Sequence, residues 1–523
     1  MKYLLMILCF FMADTFSQDN SAARKPNIII ILVDDMGYSS LGSFGGEIDT
    51  PNLDNIAQAG TRFRQFYNCA KCVSTRISIM SGQYEGRAGG RKFRNSVTMG
   101  EAMQTAGYRT IAVGKWHLDE EKDPTHYGFD RHFGHLNGAA NFFLGNEHFY
   151  KNGKPFKNFP KDFYATDAFT DFAIETINED TEKPFLLYLA YNAPHSPLHC
   201  KKPDFEKYID VYTKGWDEIR KERYRKQIKM GIIDPQWTLS KRPDFIPSWN
   251  SLCAEEKKTQ AYLMAAYAGM VDNIDQNVGR LINHLKKSGR WKNTLFLFLS
   301  DNGASPYTNP SFKNKVADDP ENRMNVGVAW ANADNTPFSR FKQNQHEGGI
   351  STGAILHYPE LTNKSKGKIL NEPLHVMDVL PTLLDLVGSS YPTTFPGREI
   401  VAPSGRSFIP ILQGKTLPQR ELFFQYMDNR ALRNGDWKLV SARSGAWELY
   451  NIKEDRTETK NLAAKFPEKV EAMKKRWYEM TKSVSKVSGK YMKPVKSEPT
   501  QWGKTKRELI PGEIHKMGQG KKK

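Results

Sequence analysis

Two apolar runs of the chain, residues 27–33 and 295–299, each stop at side chains that could bind a metal. These side chains are Asp34, Asp35, Asp301 and Asn302. Each run is too short to cross a bilayer, and its Ile, Val, Leu and Phe content is typical of a strand buried on both faces. Functional groups of parallel sheets collect at the carboxyl ends of strands, so we expect these four to converge. Clustered oxygens repel one another unless a hard cation lies among them, so the pattern predicts a metal site. The alternative is that these acidic residues only begin loops.

A cysteine lies where the pattern predicts the start of a helix. Ser74 and Thr75 are good capping residues, and an apolar stretch follows them. Cys72 would then meet the positive end of the helix dipole, which favours an anionic nucleophile or an anionic substrate. Arg76, about one turn further, could hydrogen-bond an oxyanion. A lone cysteine is more often a packed thiol, but the metal and the arginine beside it favour a nucleophile.

The alternation of strand and helix patterns predicts an α/β fold with helices on both faces of a large mixed, mostly parallel sheet, and a smaller C-terminal α+β subdomain. Residues 110–113 and 185–190 are predicted strands, followed closely by Lys115 and His117 and by His195. Residues 259–287 have the pattern of a long amphipathic helix. The charged, proline-rich residues 203–256 are interpreted as a surface excursion.

The domain organisation follows from composition. Lys2 and the short apolar stretch after it predict a signal peptide, so we expect an exported protein, periplasmic or secreted. No later segment is apolar enough to span a membrane. The predicted units are a signal peptide at 1–17, a catalytic domain at 24–417, a sheet-plus-helix subdomain at 418–490 and a basic extended tail at 491–523.

The net charge of +17 favours an acidic partner. In an exported protein a sulfated or carboxylated glycan fits better than nucleic acid, for which the sequence shows no module. A solvated basic tail is the plain alternative. The sequence leaves open whether Cys200 and Cys253 form a disulfide. It contains no signature of the oligomeric state.

The residues around Cys72 resemble the maturation motif of type I sulfatases, the formylglycine-dependent, arylsulfatase-like family of the alkaline phosphatase superfamily. That motif is Cys-x-Pro-Ser-Arg, then four residues and Thr-Gly. Cys72, Arg76 and Gly82 match it, whereas Ser74 replaces the proline. The resemblance implies that a formylglycine-generating maturation enzyme oxidises Cys72 to formylglycine (3-oxoalanine).

Further blocks resemble the same family, in the family's order and across nearly the whole mature chain. They are residues 114–118, 192–197, 300–303, 336–349, 429–433 and 447–451. The resemblance implies a Ca²⁺ ion bound by five residues: Asp34, Asp35, Asp301, Asn302 and the converted Cys72. It also implies six catalytic residues: Cys72, Arg76, Lys115, His117, His195 and Lys342.

The implied reaction is hydrolysis of a sulfate ester through a covalent enzyme–sulfate intermediate. Lys115 would hold the sulfate, His195 and Lys342 would assist the departing oxygen, and His117 would act as a base. Two alternatives remain: a phosphodiesterase or phosphonate hydrolase of the superfamily, and an unmatured, catalytically silent glycan-binding protein.

The substrate is expected to be a sulfated carbohydrate, with an aryl sulfate as the alternative. Specificity is expected in loops 137–150, 203–256 and 306–335. In the first of these, aromatic residues could stack on a sugar or form a hydrophobic plug. They include Phe142, Phe143, His148, Phe149 and Tyr150.

Overall fold

The computed structural model describes residues 25–180, 182–308, 316–443 and 445–485. The predicted signal peptide and basic tail lie outside these residues. Within them, the fold has one large mixed, mostly parallel sheet with helices on both faces and a separate C-terminal antiparallel sheet, so the predicted fold class is confirmed.

The large sheet has eleven strands among the described residues. In chain order they are β1 (Asn27–Val33), β2 (Thr61–Tyr67), β3 (Arg109–Lys115), β4 (Arg131–His135), β5 (Phe149–Lys151), β6 (Lys154–Pro155), β7 (Phe185–Ala190), β8 (Thr294–Ser300), β9 (Ser351–His357), β10 (Ile369–Leu370) and β11 (Leu374–His375). Their spatial order is β10-β2-β9-β8-β1-β7-β3-β4-β5-β6, and β11 also pairs with β2. The central strands β8, β1, β7 and β3 run parallel.

The helices lie on both faces of this sheet and in the C-terminal subdomain. They are α1 (Pro51–Ala59), α2 (Cys72–Ser81), α3 (Glu85–Ala88), α4 (Met99–Thr105), α5 (Ala165–Ile177), α6 (Lys202–Glu206), α7 (Gly215–Lys229), α8 (Ala254–Lys287), α9 (Val328–Asp334), α10 (Glu347–Ile350), α11 (Pro359–Thr362), α12 (Val379–Leu386), α13 (Ile409–Leu412) and α14 (Pro467–Ser485). Of the described helices, none is long and apolar enough to cross a membrane.

The strand β1 shows why the sheet needs helices on both faces. All seven of its residues are buried. Ile29, Ile31 and Val33 belong to one core with helices α1, α5, α7 and α8. The alternate residues Ile28 and Ile30, with Leu32, belong to a second core with α2, α4 and α12. Successive side chains of a strand point to opposite faces, so an uninterrupted apolar run is stable only between two layers.

The C-terminal subdomain is an antiparallel sheet covered by one helix. Its strands are β12 (Glu421–Tyr426), β13 (Asn429–Asn434), β14 (Trp437–Ser441) and β15 (Glu448–Asn451). Trp477 of α14 is fully buried and stacks on Phe423 with ring centroids 5.3 Å apart. Its core also includes Tyr67 and Ile350 of the large domain, so the two units pack on each other.

The interpretation of residues 203–256 as a surface excursion is wrong. The segment contains α6 and α7, and Trp216, Ile232 and Trp249 are buried in the same core as β1. The Trp216 ring lies 4.9 Å from that of Trp249 and 5.7 Å from that of Trp330. Charged residues are frequent in α7, so the composition of the segment does not reveal its buried apolar residues.

Two open questions from the sequence are resolved by burial. Phe142 and Phe149 are buried, and the Phe149 ring packs 5.2 Å from that of Phe159, so these two aromatic residues form a hydrophobic plug. Cys200 is buried, Cys253 is exposed and both thiols are free, so no bridge joins them.

We expect Trp216→Ala to lower the free energy of unfolding by about 3–5 kcal/mol, because it leaves a cavity beneath two other tryptophans. Urea unfolding followed by circular dichroism measures the change. Glu222→Ala on the exposed side of the same helix, where Glu222 pairs with Lys214, is the control, with an expected change within about 0.5 kcal/mol. Equal, small effects of both substitutions would contradict the assignment of α7 to the core.

Candidate active site

The ends of β1 and β8 bring the four candidate metal ligands together. The strands pair in parallel along their length, with Val33 opposite Ser300. The Asp301 amide donates to the Val33 carbonyl over 3.0 Å, which fixes where the chain leaves the sheet. The side chains that follow are all buried, with exposures of 1% or less: Asp34, Asp35, Asp301 and Asn302. Asn302 Nδ2 donates to Asp35 Oδ1 over 2.6 Å, and the Asp35 amide donates to Asp301 Oδ1 over 3.3 Å.

Cys72 lies beside this cluster at the start of a helix. It is the first residue of α2 and is 1% exposed. Its Sγ and one carboxylate oxygen from each of Asp34 and Asp301 all lie within 4.8 Å of one another. Burial opposes ionisation of the thiol, but the charges of Lys115 and Lys342 outweigh it and lower the pKa of Cys72 to about 7.

The acidic and amide side chains keep oxygens without hydrogen-bond partners. Asp34 Oδ1, Asp35 Oδ2 and Asn302 Oδ1 are buried and unpartnered among the described residues. The second oxygen of Asp34 accepts from Lys115, and that of Asp35 accepts from Lys342. Buried oxygens without partners are costly, and carboxylate and amide oxygens are the ligands that Ca²⁺ prefers. The donor set therefore fits a calcium ion.

The carboxylates respond differently to their surroundings. Burial disfavours the charged form of Asp34, but Lys115 and His195 hold its pKa well below the usual range. Burial and the charge of Asp34 raise the pKa of Asp301 well above its ordinary value, against the effect of Arg76. One neutral acid beside an ionised one is the usual response of crowded carboxyl groups. A divalent cation among them would favour ionisation of both.

Arg76 binds two other elements of the site. It is fully buried on α2, and its Nη2 and Nε donate to Asp301 Oδ2 over 2.8 and 3.2 Å. Its Nη1 donates to the Lys115 carbonyl over 2.7 Å. All three guanidinium nitrogens therefore bind protein acceptors, and Arg76 orients Asp301 and the end of β3. An oxyanion contact of Arg76 stays a prediction, because a guanidinium has five N–H donors and three of them are used here.

Lys115 and His117 follow β3 at the same edge of the sheet. Lys115 is buried and donates to Asp34. His117 has a φ of 52°, and its buried Nδ1 has no partner among the described residues. Burial, followed by the charges of Lys115 and Arg76, holds the pKa of His117 well below its usual value, so the ring is neutral. A Cβ on Gly138 would lie 2.9 Å from His117 Nε2, so glycine there makes room for the ring.

His195 reaches the cluster from the loop after β7. The Asp34 amide donates to the Ala193 carbonyl over 3.1 Å and ties this loop to the end of β1. His195 Nε2 lies 3.5 Å from Asp35 Oδ2. Its Nδ1 lies 2.6 Å from the Ser196 carbonyl, which can only accept, so Nδ1 carries a proton. Burial lowers the pKa of His195, against the charges of Asp34 and Asp35.

Lys342 comes from the loop between α9 and α10. It is fully buried and donates to Asp35. Burial opposes its charge, but Asp35 outweighs burial and raises the pKa of Lys342 well above its usual value. The next residue, Gln343, donates its amide to the Ala70 carbonyl over 2.7 Å, which ties this loop to the segment before Cys72. Eight of the ten predicted site side chains are thus buried, and the other two, His117 and His195, are partly exposed.

Two residues that sequence reasoning missed hold the loop after β1. Asp35 has a φ of 68°, a conformation that is rare for residues other than glycine. The Tyr267 hydroxyl lies 3.4 Å from the Asp35 carbonyl and donates to Asp334 over 2.5 Å. Asp334 also accepts from the Gly37 amide over 2.9 Å. Both belong to helices far away in the sequence and to no motif, so no sequence signal could have identified them.

Comparisons with known proteins agree with this geometry. The Sulfatase family model matches residues 26–389. The chain is 32% identical over 518 residues to an uncharacterized sulfatase of Schizosaccharomyces pombe, covering 87% of this chain and 93% of that protein. It is 31% identical over 407 residues to an arylsulfatase of Klebsiella aerogenes, covering 70% and 87%.

A solved structure of Ps i-CgsB in complex with k-i-k-neocarrahexaose has the same fold. Its TM-score is 0.65 at 24% identity, over 89% of this chain and 94% of that chain. The family model covers well over half of the present chain, and the two curated relatives extend the match to most of its length. The chain therefore belongs to the sulfatase family of the alkaline phosphatase superfamily and is a sulfuric ester hydrolase.

Proposed function

We propose that this enzyme hydrolyses sulfate esters of carbohydrates, with a formylglycine made from Cys72 and a calcium ion held by the side chains around it. The ligands would be Asp34, Asp35, Asp301 and Asn302, together with the converted residue 72. The observation that carries the proposal is that unpartnered oxygens of Asp34, Asp35 and Asn302 lie in the same buried cluster as the Cys72 sulfur.

The formylglycine would supply an oxygen nucleophile, and the calcium ion would supply a divalent positive charge. The chain's own residues would bind and orient the ester. Lys115 and Lys342 provide two buried ammonium groups near Cys72, which would offset the charge of a sulfate group. Arg76 holds Asp301 in place through two hydrogen bonds.

Two histidines are suited to opposite proton transfers. His195 Nε2 lies 3.5 Å from Asp35 Oδ2. Burial lowers the pKa of His195 against the charges of Asp34 and Asp35, and protonation at Nε2 would let it donate a proton to the departing alcohol oxygen. His117 is held neutral and has an unpartnered Nδ1, so it would take a proton from residue 72 when sulfate is released. Lys342 would assist His195 by stabilising the developing negative charge.

A carbohydrate substrate is supported by the charge of the chain, which is +17 overall. We also propose that the chain is exported, because its first 17 residues have the pattern of a signal peptide. An aryl sulfate remains a useful test substrate, because the Klebsiella relative is named an arylsulfatase.

The serine that replaces the motif proline is compatible with the helix. Ser74 is the third residue of α2, and its hydroxyl donates to Glu85 Oε2 over 2.6 Å. First-turn amides have no partner within a helix, so either serine or proline fits this position. We therefore propose that a formylglycine-generating enzyme matures Cys72 in this chain despite Ser74.

We expect the peptide that contains Cys72, purified from the native host, to carry an aldehyde oxygen in place of the sulfur. Mass spectrometry of the digest measures the conversion. Cys72→Ala should lower turnover of 4-nitrophenyl sulfate at least about 10³-fold, because the nucleophile is lost. The control is Cys69→Ala: burial raises the pKa of Cys69 to about 12, so it is not a competing nucleophile. An unmodified thiol in active enzyme, or full activity of Cys72→Ala, would contradict the mechanism.

We expect removal of calcium to lower both activity and stability. A ligand that binds only the folded state adds about 2.7 kcal/mol at a concentration of 100 Kd, and the acidic cluster loses its counter-charge without it. Thermal unfolding and 4-nitrophenyl sulfate turnover after chelation with EGTA, then with added Ca²⁺ or Mg²⁺, measure the effect. Recovery with Ca²⁺ is expected. Unchanged melting and turnover after verified metal removal would refute the calcium site.

A further inference from the structure

A third lysine borders the site without contacting the acidic cluster. Lys71 caps α2 and directly precedes Cys72. Its ammonium lies 5.7 Å from the centroid of the Tyr307 ring and 5.8 Å from that of Tyr426. Tyr307 follows β8, and Tyr426 is the last residue of β12, so three distant parts of the chain meet here. All three side chains are partly exposed, whereas Cys72 is buried.

Lys71 differs from the other two lysines in having no acidic partner. Lys115 pairs with Asp34 and Lys342 pairs with Asp35, whereas no acidic side chain among the described residues forms an ion pair with Lys71. Its ammonium instead makes cation–π contacts with the Tyr307 and Tyr426 rings. An anionic group of a ligand could therefore approach Lys71 without displacing a carboxylate of the protein.

The Tyr307 ring lies near the ammonium groups of two lysines. Lys342 Nζ is 5.8 Å from the centroid of this ring, and Lys71 Nζ is 5.7 Å from it. Gln343 donates its side-chain amide to the Tyr307 hydroxyl, which fixes the ring. Lys71 and Lys342 are therefore both near Tyr307, but only Lys342 also pairs with Asp35 of the acidic cluster among the ion pairs of the described residues.

We propose that Lys71, Tyr307 and Tyr426 form a subsite for a second anionic group of the substrate, a carboxylate or another sulfate on the part that leaves as the alcohol. The anion would supply the partner that Lys71 lacks, and the tyrosine rings would pack against the ring that carries it. This inference rests on the proposed function and names its preferred substrates: sulfate esters with a further negative charge on the departing alcohol.

Lys71 would contact the second anionic group of the substrate and not the sulfate ester that is cleaved. Lys115 and Lys342 already pair with the acidic cluster, whereas Lys71 forms no ion pair within the described part of the chain and can meet a second group. The adjoining hairpin turn carries Met427, which is 65% exposed, so this side of the subsite opens to solvent. A substrate larger than one ring can therefore extend outward past Tyr426.

The test compares three substrates on each enzyme preparation: phenyl sulfates with a para nitro group, a para carboxylate or a second para sulfate. For Lys71→Met, we expect the ratio of kcat/KM for either charged substrate to that for the nitro compound to fall about tenfold relative to wild type, mainly through KM. The two charged arms show whether carboxylate, sulfate or both are accepted. Because each ratio comes from one preparation, differences in Cys72 conversion cancel.

Lys92→Met is the matched control, because Lys92 pairs with Glu121 on the surface, and its ratios should equal those of wild type. Tyr426→Leu should lower the same ratios to a smaller extent, which keeps the test informative if Lys71→Met folds poorly. Equal losses on all three substrates in Lys71→Met, or no change in the ratios, would overturn the subsite. Wild type that turns over the nitro compound but neither charged compound would leave the proposed sulfatase activity standing and overturn the subsite alone.

Discussion

The parallel, in-register pairing of β1 with β8 is the constraint on which the site depends. It ends two buried strands at the same level and forces three carboxylates and an amide into one water-poor volume. Such a cluster is unstable by itself, as the raised pKa of Asp301 shows. The positive charges around it, those of Arg76, Lys115 and Lys342, are therefore part of the fold's stability as well as of its chemistry.

These cations reach the cluster from separate elements that are tied to one another. Arg76 of α2 binds both Asp301 and the carbonyl of Lys115, so helix, β3 and β8 share one set of hydrogen bonds. The loop that carries Lys342 is joined to the segment before Cys72 by the Gln343 amide. A displacement of any one element would leave a buried charge unpaired, which is costly.

The C-terminal subdomain contributes to the same arrangement. Glu347, five residues after Lys342, accepts from Lys438 over 2.7 Å and from Arg456 over 2.9 Å, all fully buried. Its amide donates to Glu458 over 2.8 Å. Burial opposes ionisation of Glu347, but these two cations lower its pKa to about 2. The subdomain thus anchors the loop that supplies Lys342, and through Tyr426 it also borders the proposed subsite.

Local chemistry allowed much of this to be predicted from the sequence. Apolar runs with acidic ends, a cysteine before a capped helix and basic residues after strands are short-range patterns, so Asp34, Asp301, Cys72 and His117 could be identified without a structure. Tertiary packing decided the rest: the burial of Trp216, the binding of Arg76 to Asp301, the support of Asp35 by Tyr267 and the meeting of Lys71 with two tyrosines. Those contacts join residues far apart in the chain, and strand register and core packing determine them, whereas side-chain type and spacing determine only which chemistry is available.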